Sequence, residues 1–331
     1  MNSKAQTSPV FKYIFAAVAG VIVLIFFITF GAQYIGLQET KSSSEIATSL
    51  NHVLDALLTV EGTNAPIDTP FERDLYITCN RISFKGGYPT DLEKIVFAPT
   101  ILEETSKLHV WTIGWRFPFK VTNLFYISSP NTYFYLVHDS STKQQVEKLT
   151  SSSFTNYIPT LYKRQAIGIN QLDTSLLTQI KNQAKNARIK FAFFTTPSNA
   201  QQIKRELPNS EIVYLNVNSE WEGEVTFYDT GDKVMLLGLP FVYGAIFSDS
   251  AYNFNCSISK ALDHLKFMVG LYTEKAKYIR IKERGNCNYQ LIIENLVEFS
   301  SRNTATSLIE QRAKLEDVND LLIKNGCISI F

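Results

Sequence analysis

The sequence predicts an α/β fold in which an N-terminal transmembrane helix precedes an extracytoplasmic mixed sheet with βαβ units and a C-terminal helical part. Three observations indicate it: an uncharged apolar run at 13–38, two similar strand–turn–helix units, and three helical patterns at the end of the chain. The predicted segments are a cytoplasmic terminus (1–12), the transmembrane helix (13–38), a membrane-proximal amphipathic helix (39–61) and an extracytoplasmic domain (71–331) with C-terminal helices from about 257.

The apolar run is long enough to cross a bilayer, which makes the lipid bilayer the expected partner of 13–38. A helix rises about 1.5 Å per residue, so roughly 20 residues span a hydrocarbon core about 30 Å thick. The alternatives are a buried core helix and a cleaved signal peptide. Core helices seldom run this long without a charge, and a signal peptide has an apolar region of only about 7–15 residues before a small-x-small site.

Basic residues around the run predict its orientation. Lys4 and Lys12 precede it, and Lys41 follows it together with acidic residues. Because cytoplasmic flanks carry the excess of Lys and Arg, we expect a single-pass cell-membrane protein with a cytoplasmic N-terminus. The C-terminal domain then lies outside the cytoplasm.

Four cysteines lie on the predicted outer side, and an even number in an oxidising compartment indicates two disulfides. They are Cys79, Cys256, Cys287 and Cys327. Four buried thiols are the alternative.

The pairing depends on the helix predicted from about Ser257 to Lys282. Its ends would lie about 39 Å apart, whereas a disulfide needs Cα atoms within about 7 Å. Three helices of alternating direction would instead place Cys287 beside Cys327 and leave Cys79 for Cys256. A strand-like alternation at 278–281 keeps the Cys256–Cys287 pair open, because a chain that doubled back there would bring those two together.

Near the N-terminus, Lys4-Ala5-Gln6 precedes Ser8-Pro9-Val10 and the apolar run. This segment resembles an archaeal class III, type IV pilin-like signal, although Lys12 departs from the usual pattern. The resemblance implies cleavage between Ala5 and Gln6 with retention of the apolar helix. The whole chain also resembles an uncharacterised group of archaeal single-pass membrane proteins, which implies a location and no activity.

The segment 39–61 continues in a helical register. Its apolar residues recur at spacings of 4, 3, 4 and 3, which predicts a helix with one apolar stripe. The stripe consists of Ile46, Leu50, Val53, Leu57 and Val60, widened by Leu54 and Leu58. We favour packing of this stripe on the outer domain over a protein partner or self-assembly through 46–60.

The region 71–129 is rich in β-branched and aromatic residues, which indicates strands. One long strand at 109–119 places aromatic residues on a single face; core packing is the favoured interpretation and a carbohydrate-stacking surface the alternative. The run 241–247 is also predicted as a strand. A hairpin is predicted from Val225 to Leu239.

Two units repeat a pattern of strand, Ser/Thr-rich turn and short helix, at 134–149 and 191–207, and a strand at 212–217 follows the second. Such units imply parallel strands joined by right-handed crossovers. Ser141 with Gln144 matches a capping box, and Ser198 is the predicted cap of the second helix.

In open parallel sheets, ligands bind beyond the carboxyl ends of the strands. The candidate ligand-binding residues at that place are His138, Asp139, Ser140, Thr195, Thr196 and Ser198. No Gly-x-Ser-x-Gly elbow and no glycine-rich phosphate loop accompanies them, so we assign no catalytic residue and no cofactor. We also assign no metal site, and the net charge of +1 predicts no nucleic-acid partner.

We interpret the chain as a membrane-anchored surface protein with a non-catalytic domain for interaction or envelope assembly. Two alternatives stay open: a type IV pilin-like filament subunit, and a membrane-tethered hydrolase or ligand-binding protein. Cleavage after Ala5 would indicate the first alternative. A pocket of polar side chains at the carboxyl ends of parallel strands would favour the second.

Overall fold

The described part of the chain is a mixed α/β fold with C-terminal helices, as predicted, but its strands form two sheets and not the single mixed sheet expected. A computed structural model describes residues 18, 21, 24, 25, 29, 41–59, 62, 64–150, 164–185, 187–283, 287–302 and 305–331. The predicted processing site at Ala5 and Gln6 and most of the predicted span at 13–38 lie outside these residues. Among the residues described, no helix is both long and apolar enough to cross a membrane.

The first sheet holds the strands that the sequence predicted between 71 and 129, and it begins earlier than predicted. Its strands are β1 (Asn64–Ile77), β2 (Arg81–Phe84), β3 (Thr90–Asp91), β4 (Val96–Phe97), β5 (Ile101–Arg116) and β6 (Lys120–Ser128). Their order is β3-β2-β1-β5-β6-β4, and all pairs are antiparallel except β4 with β6.

Helix α1 (residues 41–57) packs on one face of the first sheet. Ala47, Leu50 and Leu54 are fully or almost fully buried in this contact. The favoured domain packing is therefore confirmed. The predicted stripe was wrong at Val53 and Leu58, which are 37 and 40 % exposed, and Val60 lies outside the described residues. Ser43 and Ala47 on this face are small and fully buried, and Ser43 lies so close to Gly87 that a Cβ there would come within 2.7 Å of it.

The opposite face of the first sheet carries the aromatic residues of β5. Trp111 lies 5.1 Å from Phe247 and Trp115 lies 4.9 Å from Phe241, measured between ring centroids, and all four side chains are buried. Core packing of this face is thus confirmed for Trp111 and Trp115. Since the other face of β5 meets α1, this strand is covered on both sides.

The run 241–247, predicted as a strand, is instead part of helix α5 (Leu239–Phe247). All seven of its residues are buried, so the run shows no helical periodicity and cannot be told from a buried strand by pattern. Pro240 occupies its first turn after Gly238, whose φ is 102°. Gly244 lets the ring of Phe97 approach, because a Cβ there would lie 2.8 Å from the ring.

The second sheet contains the predicted parallel strands and hairpin. Its strands are β7 (Thr132–His138), β8 (Arg164–Gly168), β9 (Arg188–Phe193), β10 (Glu211–Val217), β11 (Glu222–Phe227) and β12 (Lys233–Leu237). Their order is β12-β11-β10-β9-β7-β8. The strands β8, β7, β9 and β10 are parallel, whereas β11 and β12 form an antiparallel hairpin.

In the described chain, three short helices that follow the parallel strands pack on this sheet: α2 (Lys143–Thr150), α3 (Thr174–Gln183) and α4 (Ala200–Glu206). Helix α5 packs on it as well, with Phe247 5.2 Å from Phe134 between ring centroids. Helix α2 packs against the β7 face that carries Phe134 and Leu136. Helices α3 and α4 pack against the opposite face, which carries Tyr135 and Val137. The chain therefore leaves β7 toward one side of the sheet and leaves β8 and β9 toward the other.

The C-terminal part consists of α6 (Ala251–Lys282), α7 (Tyr289–Ser300) and α8 (Ala305–Lys324). The long helix through 278–281 is confirmed, although it begins earlier than predicted, so that Cys256 lies inside it. The predicted pairing is confirmed as well: Cys79 bonds to Cys256 and Cys287 bonds to Cys327.

Candidate functional site

At the carboxyl ends of β7 and β9, the connections that follow the strands change from one face of the second sheet to the other. These two strands are neighbours, and the chain leaves them toward opposite faces of the sheet. In open α/β sheets the loops at such a point diverge and leave a crevice in which ligands bind. The predicted candidates His138 to Ser140 and Thr195 to Ser198 lie in the two loops concerned.

Asp139 joins these two loops through both of its carboxylate oxygens. Its Oδ1 accepts hydrogen bonds from the amides of Ser141 and Thr142, at 2.8 and 2.9 Å, and from both hydroxyls. Its Oδ2 accepts from the hydroxyl of Thr195 at 2.7 Å. We call this arrangement, made of Asp139, Ser141, Thr142 and Thr195, the Asp139 clasp.

The clasp corrects the capping prediction for α2. Ser141 does not accept the backbone bonds of a capping box; its hydroxyl donates to Asp139 instead. The aspartate takes the acceptor position because a carboxylate can receive several donors at once.

The clasp also determines the protonation of Asp139. The hydroxyl of Ser141, followed by that of Thr195 and the amide of Thr142, holds the pKa of the Asp139 carboxyl well below its usual range. A carboxylate with so low a pKa is a weak base at neutral pH. The clasp therefore fastens the two loops rather than moving protons.

The other predicted residues lie around the clasp. The Nδ1 atom of His138 is 3.0 Å from the carbonyl oxygen of Asp139. Ser140 and Thr196 are exposed, and the hydroxyl of Ser198 donates to Asn199 Oδ1 at 3.2 Å. Ser198 is thus not the cap of α4. The N-cap is Asn199, whose side chain makes no cap bond and donates to the carbonyl of Leu172 at 3.1 Å.

We expect Asp139→Ala to speed amide exchange of Ser141 and Thr142 and to cost about 1 kcal/mol, as the loss of a helix cap does. A carboxyl whose pKa is lowered by folding adds stability above its unfolded pKa and loses it as the pH falls through the folded value. The difference between the two proteins should therefore persist at neutral pH and shrink in strong acid. Hydrogen exchange and urea titration measure it. Ser140→Ala is the control, and unchanged exchange at Thr142 would contradict the clasp.

A second cluster, which was not predicted from the sequence, lies at the opposite, amino edge of the sheet. It consists of Arg188 and Lys190 of β9, Glu211 of β10 and Asp249, which we call the Lys190 cluster. Arg188 Nη1 lies 2.9 Å from Glu211 and 3.1 Å from Asp249. Lys190, only 2 % exposed, lies 3.3 Å from Glu211 Oε2 and donates to the carbonyl of Ser248.

The cluster joins the two sheets. Both carboxylate oxygens of Asp249 lie 2.9 Å from the amide nitrogen of Thr100, and the Thr100 hydroxyl donates at 2.8 Å. Arg188 also donates to the carbonyl of Ile101 at the start of β5, at 2.9 Å. Two cations and two carboxylates thus balance each other between β9, β10 and the entry to α6.

A cavity of about 230 Å³ adjoins the cluster. Lys190, Glu211 and Phe227 line it together with Asp232, and Tyr252, 80 % exposed, lies at its edge. Burial lowers the pKa of Lys190, although Glu211 and Asp249 oppose the shift. Perturbed lysines occur at functional sites, but here the amine is engaged by Glu211 and Ser248, and we assign the cluster a structural role.

One feature of the sequence could have indicated the Lys190 cluster. Arg188 and Lys190 interrupt an apolar strand, which is unusual for a strand buried on both faces. Their acidic partners follow 21 and 61 residues later, so no local motif records the pairing.

Within the described residues, no group of three or more His, Cys, Asp or Glu side chains could hold a metal ion. No family model matches the chain, and no curated protein or solved structure is similar to it.

Proposed function

We propose that the chain is a single-pass membrane protein that displays a non-catalytic α/β domain outside the cytoplasm, for surface interaction or envelope assembly. The observation that carries the proposal is the pairing of all four cysteines in two disulfides. Disulfides persist in oxidising compartments and are rare in the cytosol. A domain that follows an uncharged run of 26 residues and carries such bonds fits the outer side of a membrane.

The described residues of the apolar run support an anchor. Val18, Val21, Leu24 and Ile25 are helical, and each side chain is more than half exposed. Transfer of such apolar side chains from water into lipid is favourable. Their exposure therefore fits a helix that is surrounded by lipid. The engaged carboxylate of Asp139 supports a non-catalytic role for the displayed domain.

We expect protease added to intact cells to digest the domain at 39–331 and to spare a tag at the N-terminus. The reason is the placement of Lys4 and Lys12 before the apolar run. Immunoblots with antibodies to the tag and to the domain measure the result, and lysed cells serve as the control. An inaccessible domain with a cleaved tag would contradict the proposed topology.

A second candidate function is a type IV pilin-like filament subunit. The observation that favours it is α1, which packs on the first sheet and follows the apolar run in the sequence. The run would then be free to pack with the runs of other subunits.

This second function makes a distinct prediction about the native N-terminus. If the segment around Ala5 is a processing signal, mass spectrometry of the chain from its own cells should find a terminus at Gln6. An Ala5→Trp variant should stay unprocessed, since processing enzymes of this kind need a small residue before the cut. A native terminus at Met1 or Asn2 would exclude this route.

A further inference from the structure

The turn between β2 and β3 presents an aromatic residue to solvent, Tyr88, which is 70 % exposed. The turn is tight: Gly86 has a φ of 80°, and the amide of Gly87 donates to the carbonyl of Phe84 at 2.9 Å. Glycine adopts such a φ without steric cost. The backbone at 85–89 therefore holds the tyrosine in one place. We call these residues the Tyr88 turn.

Contacts with the first turn of α1 fix the position of the Tyr88 turn. The amide of Tyr88 donates to the hydroxyl of Ser44 at 2.9 Å. Ser43 beside it is fully buried, and its hydroxyl accepts from Arg73 at 2.6 Å. A Cβ on Gly87 would lie 2.7 Å from the Cβ of Ser43, so glycine is what permits this close approach. The Tyr88 turn thus lies at the end of α1 that follows the apolar run.

The length of chain between the apolar run and α1 indicates what lies beside the Tyr88 turn. Ser44 follows Gln38, the end of the predicted span, by six residues. Six residues cover about 9 Å in a helix and at most about 20 Å when fully extended. Each headgroup layer of a bilayer is about 5–7 Å thick. This short tether therefore keeps the Tyr88 turn near the headgroups of the membrane that holds the span.

The predicted span also has a reason to tilt. Its 26 residues would measure about 39 Å as a helix, about 9 Å more than the hydrocarbon core. A span longer than the core fits by tilting, and tyrosine or tryptophan side chains at the interface help to determine the direction of tilt. Tilt brings one side of an attached domain toward the bilayer. A tyrosine beside α1 suits that side, because its ring is apolar and its hydroxyl can bond to water or to headgroup oxygens.

The charges around the Tyr88 turn select no particular headgroup charge. Lys85, in the turn itself, lies 3.1 Å from Asp74. Lys41, at the start of α1, lies 3.8 Å from Glu45. Because a carboxylate balances each lysine, the contact comes from the aromatic side chain and the tether rather than from net charge. A zwitterionic lipid should serve as well as an anionic one.

We propose that the Tyr88 turn is a second membrane contact: Tyr88 lies in the headgroup layer of the bilayer that holds the span and determines which side of the domain faces it. This inference rests on the proposed function, because it requires the span at 13–38. A second copy of the chain or another protein would have to reach the turn from solution. The tether instead keeps the bilayer beside the turn at a high effective concentration, which favours the bilayer over both.

The test uses the full chain in lipid nanodiscs with one chain per disc, which removes a second copy. In Tyr88→Trp an indole replaces the tyrosine ring, and bromine atoms placed on the lipid chains near the headgroups quench a tryptophan that lies among them. The wild-type chain gives the background of its own three tryptophans. Since the replaced side chain is exposed, the variant tests the surface and leaves the fold intact.

Tyr278→Trp is the matched control, at an exposed tyrosine on the other end of the domain. Tyr278 is 63 % exposed, on the outer face of α6. It lies one turn and a half beyond Tyr272, whose ring centroid is 4.2 Å from that of Phe119. Phe119 is close in the chain to Asn123, which donates to the carbonyl of Leu58 just after the C-terminal end of α1, at 2.7 Å. The control therefore lies away from the Tyr88 turn.

We expect brominated lipid to remove most of the added emission of Tyr88→Trp and to leave that of Tyr278→Trp unchanged. The quenching should be equal in phosphatidylcholine discs with and without phosphatidylglycerol, and it should persist at high salt, because no net charge drives the contact. Moving the bromine atoms from near the headgroups to the ends of the lipid chains should weaken it.

An unquenched Tyr88→Trp overturns the proposal, and so does equal quenching of both variants, which would indicate a domain with no preferred side. Quenching that requires phosphatidylglycerol overturns it as well, because charges elsewhere on the domain would then make the contact. A blue shift of the Tyr88→Trp emission that occurs only when two chains share a disc would show that a second copy covers the turn, against the proposal.

Alkaline carbonate extraction of membranes tests the anchor separately. A chain that washes off refutes the proposed function together with this inference. A chain that stays in the membrane while Tyr88→Trp is unquenched refutes this inference alone.

Discussion

Replacing Arg312 with alanine is expected to lower the free energy of unfolding by about 3–5 kcal/mol, the cost of breaking a buried ion pair from one side. The Glu222 side chain is only 3 % exposed and forms its ion pair with Arg312. Arg312 also lies 2.8 Å from Glu220, and its guanidinium is 5.2 Å from the centroid of the Phe117 ring. Without the arginine, a carboxylate stays buried with no cation beside it.

Urea unfolding followed by tryptophan fluorescence measures this loss. The double variant Arg312→Leu with Glu222→Leu is the matched control, because removing both charges leaves no buried unpaired ion and should restore most of the stability. Glu316→Gln removes an exposed partner of Arg312 and should change little. A loss below about 1 kcal/mol for Arg312→Ala would show that water reaches Glu222 and screens it.

The disulfide between Cys79 and Cys256 is expected to contribute about 5 kcal/mol, and the one between Cys287 and Cys327 about 4 kcal/mol, from the entropy that each loop loses in the unfolded chain. The first closes a sequence separation of 177 residues and the second one of 40 residues. The first also fastens the region after β1 to α6, so its loss should loosen the contact between them.

The comparison uses paired Cys→Ser variants, Cys79 with Cys256 and Cys287 with Cys327, each removing one bond without leaving a free thiol. Urea titration gives the free energy of unfolding of both variants. Which variant loses more is a firmer test than the size of either loss, because the absolute entropy term depends on the model of the unfolded chain. A larger loss of stability on removing the bond between Cys287 and Cys327 would show that loop length does not determine how much these disulfides stabilise the fold.

Elements with a regular period or a fixed geometry were predicted from the sequence. The long helix α6 followed from its helical period. The rise per residue favoured the observed disulfides over a Cys256–Cys287 bond, which a chain that doubled back at 278–281 would have allowed. The hairpin of β11 and β12 followed from its turn residues. The parallel strands β7, β9 and β10 followed from the repeated strand–turn–helix pattern.

The errors have a common physical reason. Phe241 to Phe247 are buried on every side, so nothing in their order distinguishes a helix from a strand. In the loop after β7, four consecutive side chains, Asp139 to Thr142, can all make hydrogen bonds, and only the folded geometry places the Asp139 carboxylate among the donors. Thr195 completes the clasp from 56 residues away.

By itself, the sequence of this protein determined the α/β class and the long C-terminal helix and favoured the observed cysteine pairing, because these depend on local periods and on distances along regular elements. The tertiary structure alone decided that the two loops at the carboxyl edge are tied by Asp139 and that Lys190 is enclosed by Glu211 and Asp249. It also decided that one face of α6 stays exposed. Such contacts join residues far apart in the chain, and burial, which determines their energy, exists only once the sheets and helices have packed.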